Sequence, residues 1–301
     1  VNWLVESVPN FSEGRRAEVC EQIRAAMAGV EGVRVLDQEM DANHNRSVFT
    51  MVAGSSDALA EAAFAAARAA VERIDLNRHQ GEHPRMGAID VLPFVPIAGA
   101  QMRECVELAR RAGRRLGEEL GLPGFYYEEA ASRPERRNLA DIRSKTRQFE
   151  QFRELIGADP AWTPDFGPDR IHPTAGCVAV GARFPLIAYN VNLDTADVAV
   201  ARKIAKKVRE RDGGLPTVKA LGMMMESIGK AQVSMNLCNY TVTSIRRAFD
   251  AVRAEATALG AEVHSSEIVG MLPAAALPKE WVEDLKLAGF DPGRQILENR
   301  L

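Results

Sequence analysis

The eleven residues Asn77-Arg78-His79-Gln80-Gly81-Glu82-His83-Pro84-Arg85-Met86-Gly87 hold two histidines, one acid, two arginines and two glycines, the densest gathering of reactive groups in the chain. A polar loop ahead of a strand is where functional side chains concentrate, because the sheet holds the loop rigidly while solvent and ligands still reach it. His79 and His83 are four apart, a metal-ligand spacing only if the segment is helical. Gly81 and Pro84 oppose a helix, and no acid–histidine cluster elsewhere completes a ligand set, so no metal is expected. His83 precedes Pro84, which biases it toward extended backbone and fixes its direction. An imidazole held this way and titrating near neutral pH suits proton transfer as a general acid or base. An ordinary hydrogen-bonded loop histidine fits the local pattern too, and the residues alone leave both readings open.

The elements that must position this loop follow from periodicity. Leu4 to Pro9 is a short apolar run, and after Asn10-Phe11-Ser12-Glu13-Gly14 apolar residues recur every three or four positions from Ala17 to Met27, so a strand feeds a helix. Val33 to Leu36 and Ser47 to Val52 read as strands flanking the turn residues Asp41 to Asn45, an antiparallel hairpin. Ser55 to Ile74 is a helix capped by Ser55 or Ser56, and Ile89 to Val95 a further strand, giving the order βαββαβ. The second half repeats that order without repeating the residues: strand Phe184 to Val191, helix Thr195 to Arg211, strands Thr217 to Met224 and Ala231 to Leu237, helix Thr243 to Leu259, and a strand starting at Glu262 to His264. The fold class expected is α+β, two tandem ferredoxin-like subdomains, each an antiparallel sheet with helices on one face. The boundary is placed near residue 180, giving an amino-terminal unit 1–180 with the histidine loop and a carboxy-terminal unit 181–301. Between them Arg103 to Leu120 reads as a helix, Phe125 to Tyr127 as a short strand, Arg133 to Leu155 as a charged helical region, and Trp162 to Pro168, with two prolines and a glycine, as a loop.

Length and composition agree. A chain of 301 residues exceeds what one hydrophobic core usually supports. Its 46% hydrophobic and 26% charged content is ordinary for a globular protein, and a formal charge of −3 offers no basic face for nucleic acid. The four cysteines, Cys20, Cys105, Cys177 and Cys238, are scattered with no Cys-x-x-Cys pair. With no charged-then-apolar leader pattern at the start, the expectation is a cytoplasmic protein with reduced thiols. Ala58 to Val71 is the most apolar stretch, but Glu61 and Arg68 interrupt it and it falls short of the roughly 20 apolar residues that span a bilayer, so no membrane partner is expected.

The chain resembles the glutamate formiminotransferase family, which includes the amino-terminal half of mammalian formiminotransferase-cyclodeaminase. The residues that carry the resemblance are Leu4-Val5-Glu6 with Val8-Pro9-Asn10-Phe11-Ser12-Glu13-Gly14, Asn45-Arg46, Arg78 through Ala88, Asp165-Phe166-Gly167-Pro168, and Ala231-Gln232-Val233-Ser234 with Asn236-Leu237. It covers nearly the whole chain. It implies two ferredoxin-like subdomains with folate between them, and transfer of the formimino group between N-formimino-L-glutamate and tetrahydrofolate in histidine degradation, tetrahydrofolate being a co-substrate and no metal taking part. His83 takes the family's acid–base role. The folate-contacting stretch falls on Gly167, Pro168, Asp169, Arg170, Ile171, His172, Pro173, Thr174, Ala175 and Gly176. Here Thr174-Ala175-Gly176 stands where family members carry Ser-Trp-Gly, which removes an aromatic ring available for stacking on the pterin. No cyclodeaminase segment is present in this sequence, so a separate cyclodeaminase is expected to process the product.

Such a transfer moves an amidine carbon from one nitrogen to another through a tetrahedral intermediate. Both substrates carry carboxylates, so the site needs guanidinium groups able to grip them in bidentate fashion, and Arg46 and Arg85 are the candidates. Asn10, Asn190, Asn192, Gln232, Ser234 and Asn236 lie at or inside strand ends, where their polar groups can read the donor and acceptor edge of a pterin or simply cap a neighbouring helix. Asp37, Glu39 and Asp41 precede the hairpin turn, where they either orient His83, hold a substrate ammonium or serve the turn itself. Two half-buried sheets point to a homodimer. Two further functions fit the same residues: formyl transfer from 5-formyltetrahydrofolate to glutamate, and folate binding without catalysis.

Overall fold

The spacing Val19, Cys20, Ile23, Met27 puts the apolar side chains of α1 (Ala17–Ala28) on one stripe, and all four are buried. In α2 (Ser56–Arg73) the buried face is mostly alanine, small enough for close helix approach, and Ser55 caps it by accepting the Ala58 N–H. These helices lie over a sheet of seven strands in a computed structural model that describes residues 3–144, 146–226 and 228–300. The strands are β1 (Leu4–Ser7), β2 (Asn10–Phe11), β3 (Val33–Asp41), β4 (Arg46–Ala53), β5 (Ile89–Ala98), β6 (Gly124–Glu128) and β7 (Val178–Ala182). Both β1 and β2 pair with β4 on one side and β5 on the other, so they act as one strand interrupted at Val8-Pro9. With β3 outside β4, the first four strand positions have the ferredoxin-like order expected from βαββαβ.

Two features of this unit depart from the sequence reading. The sheet does not end at β5: β7 pairs with β5 in parallel and β6 with β7 in parallel, so the sheet is mixed. Helix α3 (Met102–Leu120) packs with α1 and α2 over one apolar layer. Phe152 of α5 (Phe149–Leu155), with Ile142 of α4 (Leu139–Ile142), buries Phe125, Tyr127, Val91 and Ala179 on the other face, so helices are not confined to one side. The charged region 133–155 is correspondingly not one helix. Ser144 and Arg147 exchange backbone hydrogen bonds between the end of α4 and the start of α5.

The second unit begins at Phe184, where the first ends at Arg183. Its four strands, β8 (Ile187–Leu193), β9 (Val218–Met225), β10 (Lys230–Leu237) and β11 (Val263–Val269), are antiparallel in the order β11-β8-β10-β9, again ferredoxin-like. Helices α6 (Val198–Val208) and α7 (Ile245–Ala258) cover one face. The sequence reading ran α6 on to Arg211; Asp197 caps it later than expected and the chain leaves the α-helix at Arg209.

Candidate functional site

Three segments meet at the β3–β4 turn. Asn45, in the left-handed region at φ 50, accepts the Gly14 N–H at 2.9 Å through Oδ1 and donates through Nδ2 to the Gln80 carbonyl at 3.0 Å. One amide therefore ties the segment after β2, the hairpin and the histidine loop together. Gly81 permits the last of these contacts, since a Cβ there would stand 2.2 Å from the His44 carbonyl oxygen.

The histidine loop thus lies along the start of β4 and brings His83 against Arg46. Arg46 Nη1 is 3.1 Å from His83 Nε2, and its other terminal nitrogen donates to Asn10 Oδ1. A guanidinium only donates, so Nε2 is the acceptor and a neutral His83 carries its proton on Nδ1. Half-buried, the ring lines a crevice with Phe11, Ser12, His44, Asp90 and the arginines. The His44 ring stands edge-on to it at 6.1 Å and is itself held by Asp41 through Nδ1 at 2.6 Å. Burial, followed by the charges of Arg46, Arg143 and His44, pushes the His83 imidazole down to about 4, against a weaker raising by the Pro84 backbone.

Around it the charge balance is lopsided. Arg143 forms a buried ion pair with Asp90, whose other oxygen accepts the Met86 N–H at 2.7 Å. Burial, helped by Arg46, brings the Arg143 guanidinium down to about 10. Arg46 makes no ion pair among the described residues, and its buried Nε has no hydrogen-bond partner. Burial lowers its proton affinity while the more distant Glu39 and Asp41 raise it. An enclosed guanidinium with one donor unused is a receptor for an anion.

Arg85 differs. Its two terminal nitrogens grip Glu150 at 2.8 and 2.7 Å, with Gln148 Oε1 at 3.3 Å, which fastens the loop to α5. His79 also lines the crevice, but it is buried and donates through Nε2 to the Asn45 carbonyl at 2.8 Å, so it supports the hairpin.

The end of the stretch 167–176 runs beside the histidine loop, joined to it by backbone hydrogen bonds. Leu76 N–H donates to Thr174 O at 2.8 Å, Ala88 N–H to Ala175 O at 2.9 Å and Cys177 N–H to Met86 O at 2.9 Å. Gly176, at φ 75, approaches so closely that a Cβ would lie 2.1 Å from Met86 O. His172 Nδ1 accepts the Ala175 N–H at 3.0 Å, which folds the stretch back on itself. The Asp165-Phe166-Gly167 motif anchors its start. Asp165 accepts the Tyr126 N–H at 2.8 Å and pairs with buried Arg136 at 2.7 Å, and the Phe166 ring fills the space above Gly113 and Gly124.

In the second unit the expected polar residues share one face of the sheet. Asn190 stands opposite Ser234 and Glu267, and Asn192 opposite Gln232 and Ser265. Gln232 Nε2 donates to Asn192 Oδ1 at 2.9 Å and to Glu267 Oε1 at 3.1 Å; Asn190 Nδ2 donates to the same Oε1 at 2.9 Å. Asn236, two residues on from Ser234, is exposed.

Sequence reasoning missed Asp90, Arg143 and Glu267. Asp90 left a signal, an acid inside the apolar strand Ile89 to Val95. Arg143 and Glu267 left none, since each sits in a stretch where a charged residue is unremarkable. Among the described residues no helix is long and apolar enough to cross a membrane, and no three His, Cys, Asp or Glu cluster as metal ligands.

Three histidines are held toward the neutral form by burial: His83 most strongly, then His79 and His172. Unfolding raises each toward its ordinary value of 6.5, so the unfolded chain binds more protons than the native one below that pH. Stability is therefore expected to be at its full value above about pH 6.5 and to fall progressively as pH is lowered toward 4. Melting midpoints between pH 7 and 5 check this, and the slope should be shallower in His83→Gln; an identical slope would show that the native ring is not kept neutral.

Comparison with known proteins accords with this geometry. The amino-terminal subdomain of the formiminotransferase domain matches residues 4–183, and the formiminotransferase domain matches residues 188–280. Over 298 residues the chain is 51% identical to a glutamate formimidoyltransferase from Thermoplasma acidophilum, covering 99% of this chain and 97% of that one. A glutamate formimidoyltransferase from Streptococcus pyogenes serotype M1 is 47% identical, with 99% and 98% covered. The formimidoyltransferase-cyclodeaminase of Mus musculus is 41% identical over 92% of this chain and 51% of its own length. With both subdomains matched along nearly its whole length, the chain belongs to the formiminotransferase family.

Proposed function

We infer that the chain is a glutamate formimidoyltransferase, which exchanges a formimino group between N-formimino-L-glutamate and tetrahydrofolate, giving 5-formimidoyltetrahydrofolate and L-glutamate. The observation that carries this reading is the contact between a neutral imidazole and a guanidinium without a counter-ion, Arg46 Nη1 to His83 Nε2 at 3.1 Å.

Before substrate arrives, Arg46 occupies the lone pair of His83 and its charge suppresses the ring's basicity. A glutamate carboxylate is a better partner for Arg46 than an imidazole, because it offers two oxygens to a fork of donors. Once the carboxylate draws the guanidinium over, Nε2 is free and the charge that depressed it is neutralised. His83 then takes the proton from pterin N5 as that nitrogen bonds to the amidine carbon. In the second step it returns a proton to the glutamate nitrogen as the old carbon–nitrogen bond breaks, so one imidazole serves as base and then as acid. Asn10 and the Arg143–Asp90 pair hold the positive groups in place, and Arg85, fastened to Glu150, keeps the loop fixed.

Tetrahydrofolate is the co-substrate in this reading, with the stretch 167–176 supplying contacts to it. A cytoplasmic homodimer that passes its product to a cyclodeaminase completes it. Supporting the compartment are four free cysteines, and supporting the coupling is the mouse relative, a formimidoyltransferase-cyclodeaminase.

The test is direct. Purified protein with tetrahydrofolate and N-formimino-L-glutamate is expected to release L-glutamate and 5-formimidoyltetrahydrofolate, faster than the same protein transfers a formyl group from 5-formyltetrahydrofolate to glutamate. Folded protein that turns over neither pair overturns the reading, and faster formyl transfer replaces it with the formyl reaction.

A further inference from the structure

We propose that Glu267 is the specificity-determining residue for the one-carbon carrier: its carboxylate accepts the paired N–H donors on the 2-amino-4-oxopyrimidine edge of the reduced pterin. The proposal rests on the functional reading above and names the contact that this reading leaves unassigned.

Glu267 lies on β11 directly across from Asn190 of β8, on the sheet face opposite the helices. Two amides converge on its Oε1, Asn190 Nδ2 at 2.9 Å and Gln232 Nε2 at 3.1 Å. Gln232 is itself fixed by Asn192 Oδ1 at 2.9 Å, and Asn192 donates to Ser265 at 3.1 Å. This chain of amides sets the plane of the carboxylate. Glu267 is half-buried, yet among the described residues it has no cationic partner, and its Oε2 accepts no hydrogen bond. The amides alone do not call for a charge, because a glutamine here would accept the same two bonds through its own carbonyl oxygen. What the carboxylate adds is a second acceptor beside the first, held in plane and unused. Such an oriented pair of oxygens fits a ligand with two N–H groups side by side on an N–C–N unit, in the manner of a carboxylate and a guanidinium. In a reduced pterin, N3–H and the 2-amino group are that unit. The loss of charge solvation on burial is recovered only when such donors arrive.

The experiment uses 5-methyltetrahydrofolate, which carries no transferable amidine, and its analogue with a methyl group replacing the 2-amino group, each titrated calorimetrically into the full chain and into Glu267→Gln. Glu267→Gln is expected to weaken 5-methyltetrahydrofolate by about 10- to 100-fold, the effect of losing hydrogen bonds to a charged acceptor. KM for tetrahydrofolate should rise in step, with kcat and KM for formiminoglutamate little changed. The analogue should bind the native chain as weakly as the natural ring binds Glu267→Gln, and should lose nothing further in the variant. Unchanged affinity in Glu267→Gln, or a penalty for the analogue that persists in the variant, overturns the contact. Should the variant fail to fold, equal affinity of the native chain for the two ligands overturns it as well. A native chain that transfers the formimino group while Glu267→Gln behaves normally defeats this proposal alone; one that neither binds folate nor transfers defeats the functional reading with it.

Discussion

Replacing His83 with alanine is expected to lower kcat by about 10²–10⁴-fold, the usual contribution of one well-placed proton-transfer group, while leaving folate affinity little changed. The expectation follows from position. His83 is the histidine of the loop whose Nε2 faces the crevice and is held by a displaceable partner. His79 and His172 are committed to backbone groups, Nε2 to the Asn45 carbonyl in one and Nδ1 from the Ala175 N–H in the other. Alanine at His172 should therefore act on the local shape of 167–176 with a milder effect on turnover, and alanine at His79 chiefly on stability. Steady-state kinetics and melting curves for the three variants separate these roles. A His83→Ala enzyme that loses folate affinity but keeps its turnover would contradict the assignment.

Arg46→Met is expected to act twice. Removing the guanidinium takes away charge-assisted hydrogen bonds to the substrate carboxylate, so KM for formiminoglutamate should rise by about 10- to 100-fold. It also removes a positive charge that, after burial, helps hold the His83 pKa down at about 4. Without that charge the His83 pKa moves up toward the ordinary histidine range, and its basic form is then lost at a higher pH as the solution is acidified. The acidic limb of the kcat/KM profile, which reports free enzyme, should move to higher pH accordingly. Lysine at the same position keeps a charge but not the fork, so it should preserve the limb better than it preserves KM. An acidic limb that stays in place in Arg46→Met would show that the contact with His83 has no electrostatic consequence.

Most of the fold could be read from the residues because its signals are local. The stripes of α1 and α7, the turn between β3 and β4 and the twofold βαββαβ order each depend on neighbours within about twenty positions. What escaped depends on partners far along the chain. Val178–Ala182 is a run of five small apolar residues with no alternation, and only its parallel pairing with β5 and β6 makes it a strand. The continuation of β3 past Leu36 to Asp41 is likewise set by β4, since residues 37 to 41 are mostly polar and the last three are exposed. At the site, the type and direction of His83 were legible from His-Pro and the glycines around it. That Arg46 covers its lone pair was not, because the contact joins residues 37 apart through the fold. The division of labour between Arg46 and Arg85 was hidden for the same reason: Glu150, which claims Arg85, lies 65 positions away.

Strand β7 carries a consequence for how the molecule comes into being. Every element of the first ferredoxin-like layer, and both Arg46 and His83, lie at or before Ala98 and so are synthesised ahead of β7. The histidine loop nevertheless owes its rear wall to hydrogen bonds from 174 to 177, which form when the strand beginning at Val178 docks beside β5. A nascent chain released short of that point can bury much of its first core and still leave the loop around Met86 and Ala88 without its backing. Chemistry at this loop is thereby deferred until synthesis has passed well beyond the end of β5 at Ala98, to β7 at Val178.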